Sequence, residues 1–300
     1  LSAISTKTGA VLNPKELAKD MGKVRELYRK DGYYNAKVDY NLEQADGGRA
    51  RLNIVVNEGK KLYVTNIVIQ GAKEFSPSDL KKELALSERG MFSWLTGSGV
   101  LREEVLDRDA AALEAYYSNR GFLNAKAGQP VVSHTDEGIT VTFQVEEGPR
   151  YKVVSVQYSG DMITTPEELN RIVHLDDLAK EKSYFDRSVM RDDLQKLTEY
   201  YSNYGYAFAE SDVQLSRDET EKSLNVTYAL SKGNKISINR VLVDGNVKTR
   251  DNVIRREMRL SDGDLYSGEK LRRSNTRLNR LDFFETVEIT PEPTPNPDKL

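Results

Sequence analysis

Apolar and polar positions along this chain follow two different periods, and the switch between them recurs. Three times, apolar residues stand two, four and seven places before a glycine: Ile69, Ile67 and Val64 before Gly71; Tyr158, Val156 and Val153 before Gly160; Val243, Val241 and Ile238 before Gly245. Near-alternation of this kind predicts a strand that opens each repeat. A first helix is predicted after it, from Ser76-Pro77 ahead of Asp79, Thr165-Pro166 ahead of Glu168, and Thr249 three places before Asn252. A hydroxyl there can accept the unpaired N–H groups of a first turn, and proline loses nothing at that position. Thr165 with Glu168 fits a capping box.

A second helix then carries apolar residues at i, i+4, i+7 and i+11: Leu17, Met21, Val24, Tyr28; Leu106, Ala110, Leu113, Tyr117; Met190, Leu194, Leu197, Tyr201. That spacing buries one helix face. Four residues past each tyrosine stands Gly32, Gly121 or Gly205, where a residue in the left-handed region ends the helix without any ligand being needed. Two strands close the repeat, joined by polar turns such as Asp46-Gly47-Gly48 and Asp136-Glu137-Gly138. The last strand alternates cleanly, with Leu52, Ile54, Val56, then Val141, Phe143, Val145, then Val226, Tyr228, Leu230, so one face packs and the other is wet.

The landmarks share one period. Gly71, Gly160 and Gly245 follow one another at steps of 89 and 85, Gly32, Gly121 and Gly205 at steps of 89 and 84, and the glycines of Glu58-Gly59, Glu147-Gly148 and Lys232-Gly233 at steps of 89 and 85. Such agreement is the mark of tandem duplication. The fold class is α+β, with the order strand, helix, helix, strand, strand and two helices on one face of a three-stranded mixed sheet. The predicted division is 1–60, the second half of one module; 61–149 and 150–234, two complete modules; and 235–300, a module whose Pro-rich stretch from Thr290 to Pro297 precedes its final strand. Both outer modules are expected to be cut.

Composition fits this beaded plan. In 300 residues, 30% are charged and 38% apolar, wetter than one large core requires. A net charge of -3, with Lys and Arg spread along the length, lacks the basic footprint of nucleic-acid binding. No run of eighteen apolar residues and no leader-like start is present, so a soluble segment without a membrane span is expected. The absence of cysteine excludes disulfides and thiolate metal sites.

Catalysis finds no support. Asp192 and Asp193 are adjacent on a helix and point in different directions, whereas acid-base work needs carboxylates that converge. His134 and His174 are the only histidines, fall at unlike repeat positions, and lack matched partners for a triad or a metal. No cofactor is expected.

The helix-ending phrase Tyr-x-x-x-Gly-aromatic, in this element order, resembles the POTRA (polypeptide-transport-associated) domain. Arg255-Arg256-Glu257-Met258-Arg259, followed by Arg277-Leu278-Asn279-Arg280-Leu281-Asp282-Phe283-Phe284-Glu285-Thr286-Val287, is similar to the last POTRA domain of the outer-membrane β-barrel assembly factors. The resemblance covers essentially the whole chain. It implies a periplasmic arm, attached to the outer membrane only through a C-terminal barrel absent from these residues, that engages unfolded outer-membrane β-barrel proteins and binds partner lipoproteins. It also implies that Arg255, Glu257, Arg259 and the turn residue Asp262, where the family carries a longer acidic side chain, face the principal lipoprotein. A solvated helix face is the plainer reading of the same charges. A passive strut, or the POTRA region of a secretion transporter, are the rival functions.

Two further candidates come from physical chemistry. If the middle strand of each module lies at a sheet edge, its unpaired N–H and C=O groups can accept an extended client strand. Backbone pairing reads shape and not sequence, which suits clients whose transmembrane strands vary in side chain. In the second module this strand is Asn124 to Ser133, with Asn124, Ala125, Lys126, Ala127, Val131 and Val132 as the pairing residues. Lys126 and Pro130 equally suit an edge kept from pairing. The loop Gly90–Gly99 carries Phe92 and Trp94 among glycines, either as an exposed anchor or folded back over the helix pair.

Overall fold

The computed structural model describes residues 4–9, 11–45, 49–90, 93, 99–101, 103–292 and 294–300. Two compact units emerge, one of residues 1–117 with 124–148 and one of 118–123 with 149–300. Among the described residues no helix is long and apolar enough to cross a membrane.

The first unit begins with helix α1 (Pro14–Lys30), whose first turn is capped by Asn13, the side-chain oxygen accepting the Lys15 N–H at 3.0 Å. Strands β1 (Lys37–Ala45) and β2 (Arg49–Asn57) pair as an antiparallel hairpin. Leu17 and Met21 of α1 bury themselves against Val38, Leu52, Ile54 and Val56, the helical and alternating positions meeting as their periods require. There follow β3 (Val64–Gln70), α2 (Pro77–Lys81), α3 (Glu103–Ser118), β4 (Lys126–Ala127), β5 (Val131–Thr135) and β6 (Gly138–Glu146). The last of these, β6, is central: it runs parallel to β3 and antiparallel to β4 and β5.

The second unit repeats the plan with β7 (Lys152–Gly160), α4 (Pro166–Leu169), α5 (Leu175–Lys180), α6 (Arg187–Asn203), β8 (Glu210–Asp218) and β9 (Ser223–Ser231). Its sheet order is β7-β9-β8, with β9 parallel to β7 and antiparallel to β8. The chain reaches β9 from β7 across the helices, which permits a parallel pair, and from β8 by a tight turn, which demands an antiparallel one. Leu224, Val226, Tyr228 and Leu230 of β9 are all buried against Leu197 and Tyr201 of α6. Gly160 closes β7 at φ +85°, and a Cβ there would collide with the Leu230 carbonyl, so the strand end tolerates glycine alone.

The fourth repeat carries α7 (Asp251–Glu257) and α8 (Gly268–Asn279), with α8 packed on α6. Two expectations are corrected here. The cap of α7 is Arg250, which makes no side-chain cap hydrogen bond, so Thr249 does not start the helix. Residues 238–243, expected as an opening strand, form no extended ladder; in this repeat Ser237 bridges to Leu265 and, in parallel, to Lys299. In the preceding repeat the central strand is what holds both neighbours; in the fourth, residues 298–300 run parallel to the opening segment, with the Ser237 N–H donating to the Asp298 carbonyl, the Leu300 N–H to that of Ser237 and the Asn239 N–H to that of Leu300. A cavity of about 850 Å³ is lined among others by Val241, Val243, Leu260, Leu278, Phe284, Ile289 and Leu300.

Candidate functional site

In the two complete modules the middle strands lie at sheet edges, since among the described residues β4, β5 and β8 each pair only with the central strand. The two modules offer different edges. In the earlier one the strand expected from Asn124 to Ser133 is broken: Lys126 and Ala127 pair with Glu146 and Val145, the chain leaves the ladder around Pro130, and pairing resumes from Val131. Proline has no N–H to give a ladder. The Ala127 N–H is moreover already donated to Glu114 Oε1 at 3.0 Å, which removes it from the group of free pairing residues. Val131 is exposed and Val132 half-buried, and 131–135 is the longer paired stretch of this edge.

In the later module β8 is unbroken from Glu210 to Asp218, each residue matched to β9. Val213 and Leu215 stand among the positions facing away from or toward the sheet in alternation with Asp212, Gln214 and Ser216, and the burial alternates along the strand with that period. No proline interrupts it. Its edge was not singled out in the sequence, although the alternation of Val213 and Leu215 with polar neighbours carries the signal. The opposite edges are covered: Val64 of β3 exchanges backbone hydrogen bonds with Gly99 and Arg89, Ile67 N–H reaches Glu88 Oε1 at 2.8 Å, and Val153 of β7 donates to Ser183.

The charged residues expected to meet a partner are mostly engaged within the fold. The Arg255 guanidinium donates to the Val241 carbonyl at 2.8 Å and lies 3.8 Å from Asp251. Glu257 Oε2 accepts from Arg277 Nε at 2.9 Å and Nη2 at 2.5 Å, and Arg256 donates to its other oxygen at 3.3 Å. The Arg277 hydrogen bonds hold the Glu257 carboxyl below its usual range. Asp262 Oδ1 accepts the Val241 N–H at 2.7 Å. Arg259 is exposed, and among the described residues only its backbone is engaged, its N–H donating to Ser274 Oγ. Phe92 and Trp94 lie outside the described residues.

A further set of residues escaped the sequence reading. Asp20, Asp109 and Asp193 are buried and recur on successive helices at steps of 89 and 84. Each accepts two consecutive backbone N–H groups: Ser5 and Thr6, Ala85 and Leu86, His174 and Leu175. These carboxylates staple the second helix to the segment beside it. For Asp20, the Ser5 N–H above all holds the carboxyl far below its usual range. Glu147 does similar work, accepting from Lys73 N–H, Glu74 N–H and the Tyr117 hydroxyl. Where Lys232 replaces it, the Tyr201 hydroxyl turns to the Asp161 carbonyl. Among the described residues no cluster of His, Asp and Glu is arranged to hold a metal, and Asp193 is committed to structure.

The POTRA family profile, described as surface antigen variable number repeat, matches residues 1–59, 62–148, 151–233 and 236–300. The chain is 50% identical over its whole length to the outer membrane protein assembly factor BamA of Nitratidesulfovibrio vulgaris, covering 38% of that protein. It is 27% identical to the BamA of Neisseria meningitidis serogroup B over 92% of this chain and 35% of that one. It therefore spans little more than a third of these relatives. The crystal structure of Haemophilus influenzae BamA POTRA3-5 overlays with a TM-score of 0.63 at 24% identity, over 79% of this chain and 93% of that one.

Proposed function

The chain belongs to the POTRA family, and from that premise we propose that it is the periplasmic arm of an outer-membrane protein assembly factor, binding unfolded β-barrel clients by strand addition and docking partner lipoproteins. The observation that carries this reading is β8, an unbroken edge strand from Glu210 to Asp218 with one side unpaired in its sheet. An extended client laid along it would pair backbone to backbone and leave its own side chains free to vary. The 131–135 stretch is a second, shorter seat. Lipoprotein docking falls to the exposed face of the fourth repeat, where Arg259 is a cation free to reach outward.

NMR titration of the 300-residue chain with a peptide of alternating apolar and polar residues tests the client half. Amide shifts concentrated in 210–218, with smaller ones in 131–135, are expected. No shift at millimolar peptide would turn the assignment to a strut that only positions other proteins.

A further inference from the structure

The glycine that ends each long helix is also a socket for the segment that opens the next repeat. Leu62, Tyr151 and Ile236 donate their backbone N–H groups to the carbonyls of Gly32, Gly121 and Gly205 at 2.8, 2.9 and 2.8 Å. The residue before each donor is a cation: Lys61 Nζ lies 5.8 Å from the centre of the Tyr33 ring, Arg150 Cζ 5.4 Å from Phe122, and Lys235 Nζ 5.5 Å from Tyr206. Each ring belongs to the residue just after the socket glycine. All three donors are buried. The glycines sit at φ +94°, +94° and +96°, which points the carbonyl away from the finished helix and toward the incoming chain. One arrangement has thus been built three times: a left-handed residue, an aromatic ring beside it, and a cation–apolar pair that closes over both.

The fourth repeat carries the same socket. Leu278, buried in α8, takes the place of the tyrosine, and four residues later Asp282 stands in the left-handed region at φ +55°. Aspartate is among the few residues other than glycine that enter that region readily. Phe283 follows it, as the aromatic should. Phe122 is 2% exposed in its filled socket, whereas Phe283 is 64% exposed, and among the described residues no backbone N–H reaches the Asp282 carbonyl.

We propose that the Asp282–Phe283 socket is filled by the continuation of this same polypeptide, through a Lys or Arg followed directly by a large apolar residue. The three filled sockets commit to an occupant in the same chain, because Leu62, Tyr151 and Ile236 follow Gly32, Gly121 and Gly205 at the nearly constant offsets of 30, 30 and 31. The same step from Asp282 falls a short way past Leu300. The carboxylate of Asp282, present only in this socket, adds an ion pair to the cation that the ring attracts. The socket so filled makes the body that follows the fourth repeat enter at the same joint that links the repeats to one another. This holds whether or not the exposed strands take clients.

Hydroxyl-radical footprinting of Phe283 tests it, comparing the 300-residue chain with the full-length chain, purified alone. Oxidation of Phe283 is expected to fall in the full-length chain toward that of Phe122, which serves as the buried control in both. It is expected to return when the Lys or Arg that leads the incoming pair is replaced by serine, and also in Asp282→Lys, which repels that cation from a surface position. Equal oxidation of Phe283 in the two chains would overturn the proposal. So would protection that depends on protein concentration, which would mean a second copy, or protection that arises only when another protein is added.

Discussion

The Tyr228 hydroxyl donates to Asp193 Oδ2 at 2.9 Å, tying the central strand of the second unit's sheet to its long helix. The same carboxylate accepts the His174 and Leu175 N–H groups, so one buried side chain joins β9, α6 and the start of α5. Burial first and Asp193 second push the Tyr228 phenol far above its usual range. Tyr228→Phe removes one bond and should cost about 1–2 kcal/mol, whereas Asp193→Ala orphans two backbone donors and a hydroxyl and should cost on the order of 3 kcal/mol or more. Urea unfolding of both variants and of the double variant measures this. The double should fall well short of the sum of the singles, because Asp193→Ala has already removed the partner of Tyr228.

Acid should loosen the fourth repeat through Glu257. Its carboxyl is held below the usual 4.5, first by the hydrogen bonds from Arg277 and opposed by burial. A group with a depressed folded value contributes stability above its unfolded value, and that contribution is lost as pH falls through the folded one. Glu257→Gln should therefore unfold earlier than the native chain near neutral pH. The gap should close as pH falls below the usual 4.5 and through the lower folded value, where the native carboxylate also takes up its proton. A gap that is constant with pH would show that the pair contributes by packing alone.

Gly160 and Gly245 hold the same place in successive repeats and should respond differently to alanine. Both have positive φ, but a Cβ at Gly160 meets the Leu230 carbonyl, while one at Gly245 meets nothing within 4 Å. Gly245→Ala carries only backbone strain, about 1 kcal/mol, and Gly160→Ala adds a steric clash that should bring the loss to about 3 kcal/mol. Thermal unfolding of the two variants gives the comparison directly.

Much of this architecture was legible because duplication printed it three times. Leu113, Leu197, Val141 and Val226 are fully buried where the helical and alternating periods placed them, and Gly32, Gly121 and Gly205 all take the left-handed region. The buried Asp20, Asp109 and Asp193 were missed because an aspartate on a polar-looking helix reads as solvated. Only the backbone donors folded against it reveal the staple, and sequence periodicity in apolar residues does not register them. The break around Pro130 and the capture of the Ala127 N–H by Glu114 likewise depend on where α3 lies over the sheet. In the fourth repeat the opening segment pairs in parallel with 298–300 at Ser237 and Asn239, since a strand is stabilised by its neighbours and not by propensity alone.

Arg259 and Asp262 should separate docking from folding. Under the proposed lipoprotein role, Arg259→Glu reverses an exposed charge whose guanidinium makes no hydrogen bond or ion pair among the described residues, so it should weaken partner binding while leaving the unfolding transition in place. An exposed ion pair is worth up to about 1 kcal/mol, and reversal to repulsion should cost roughly ten-fold in affinity. Asp262→Ala strips the acceptor from the Val241 N–H, bonded at 2.7 Å, and should lower the unfolding midpoint whether or not a partner is present. Calorimetric titration with the lipoprotein, run beside thermal melts of each variant, distinguishes the two. If Arg259→Glu leaves affinity unchanged, the partner does not dock on this face, because among the described residues that guanidinium has no bond whose loss could mask the effect.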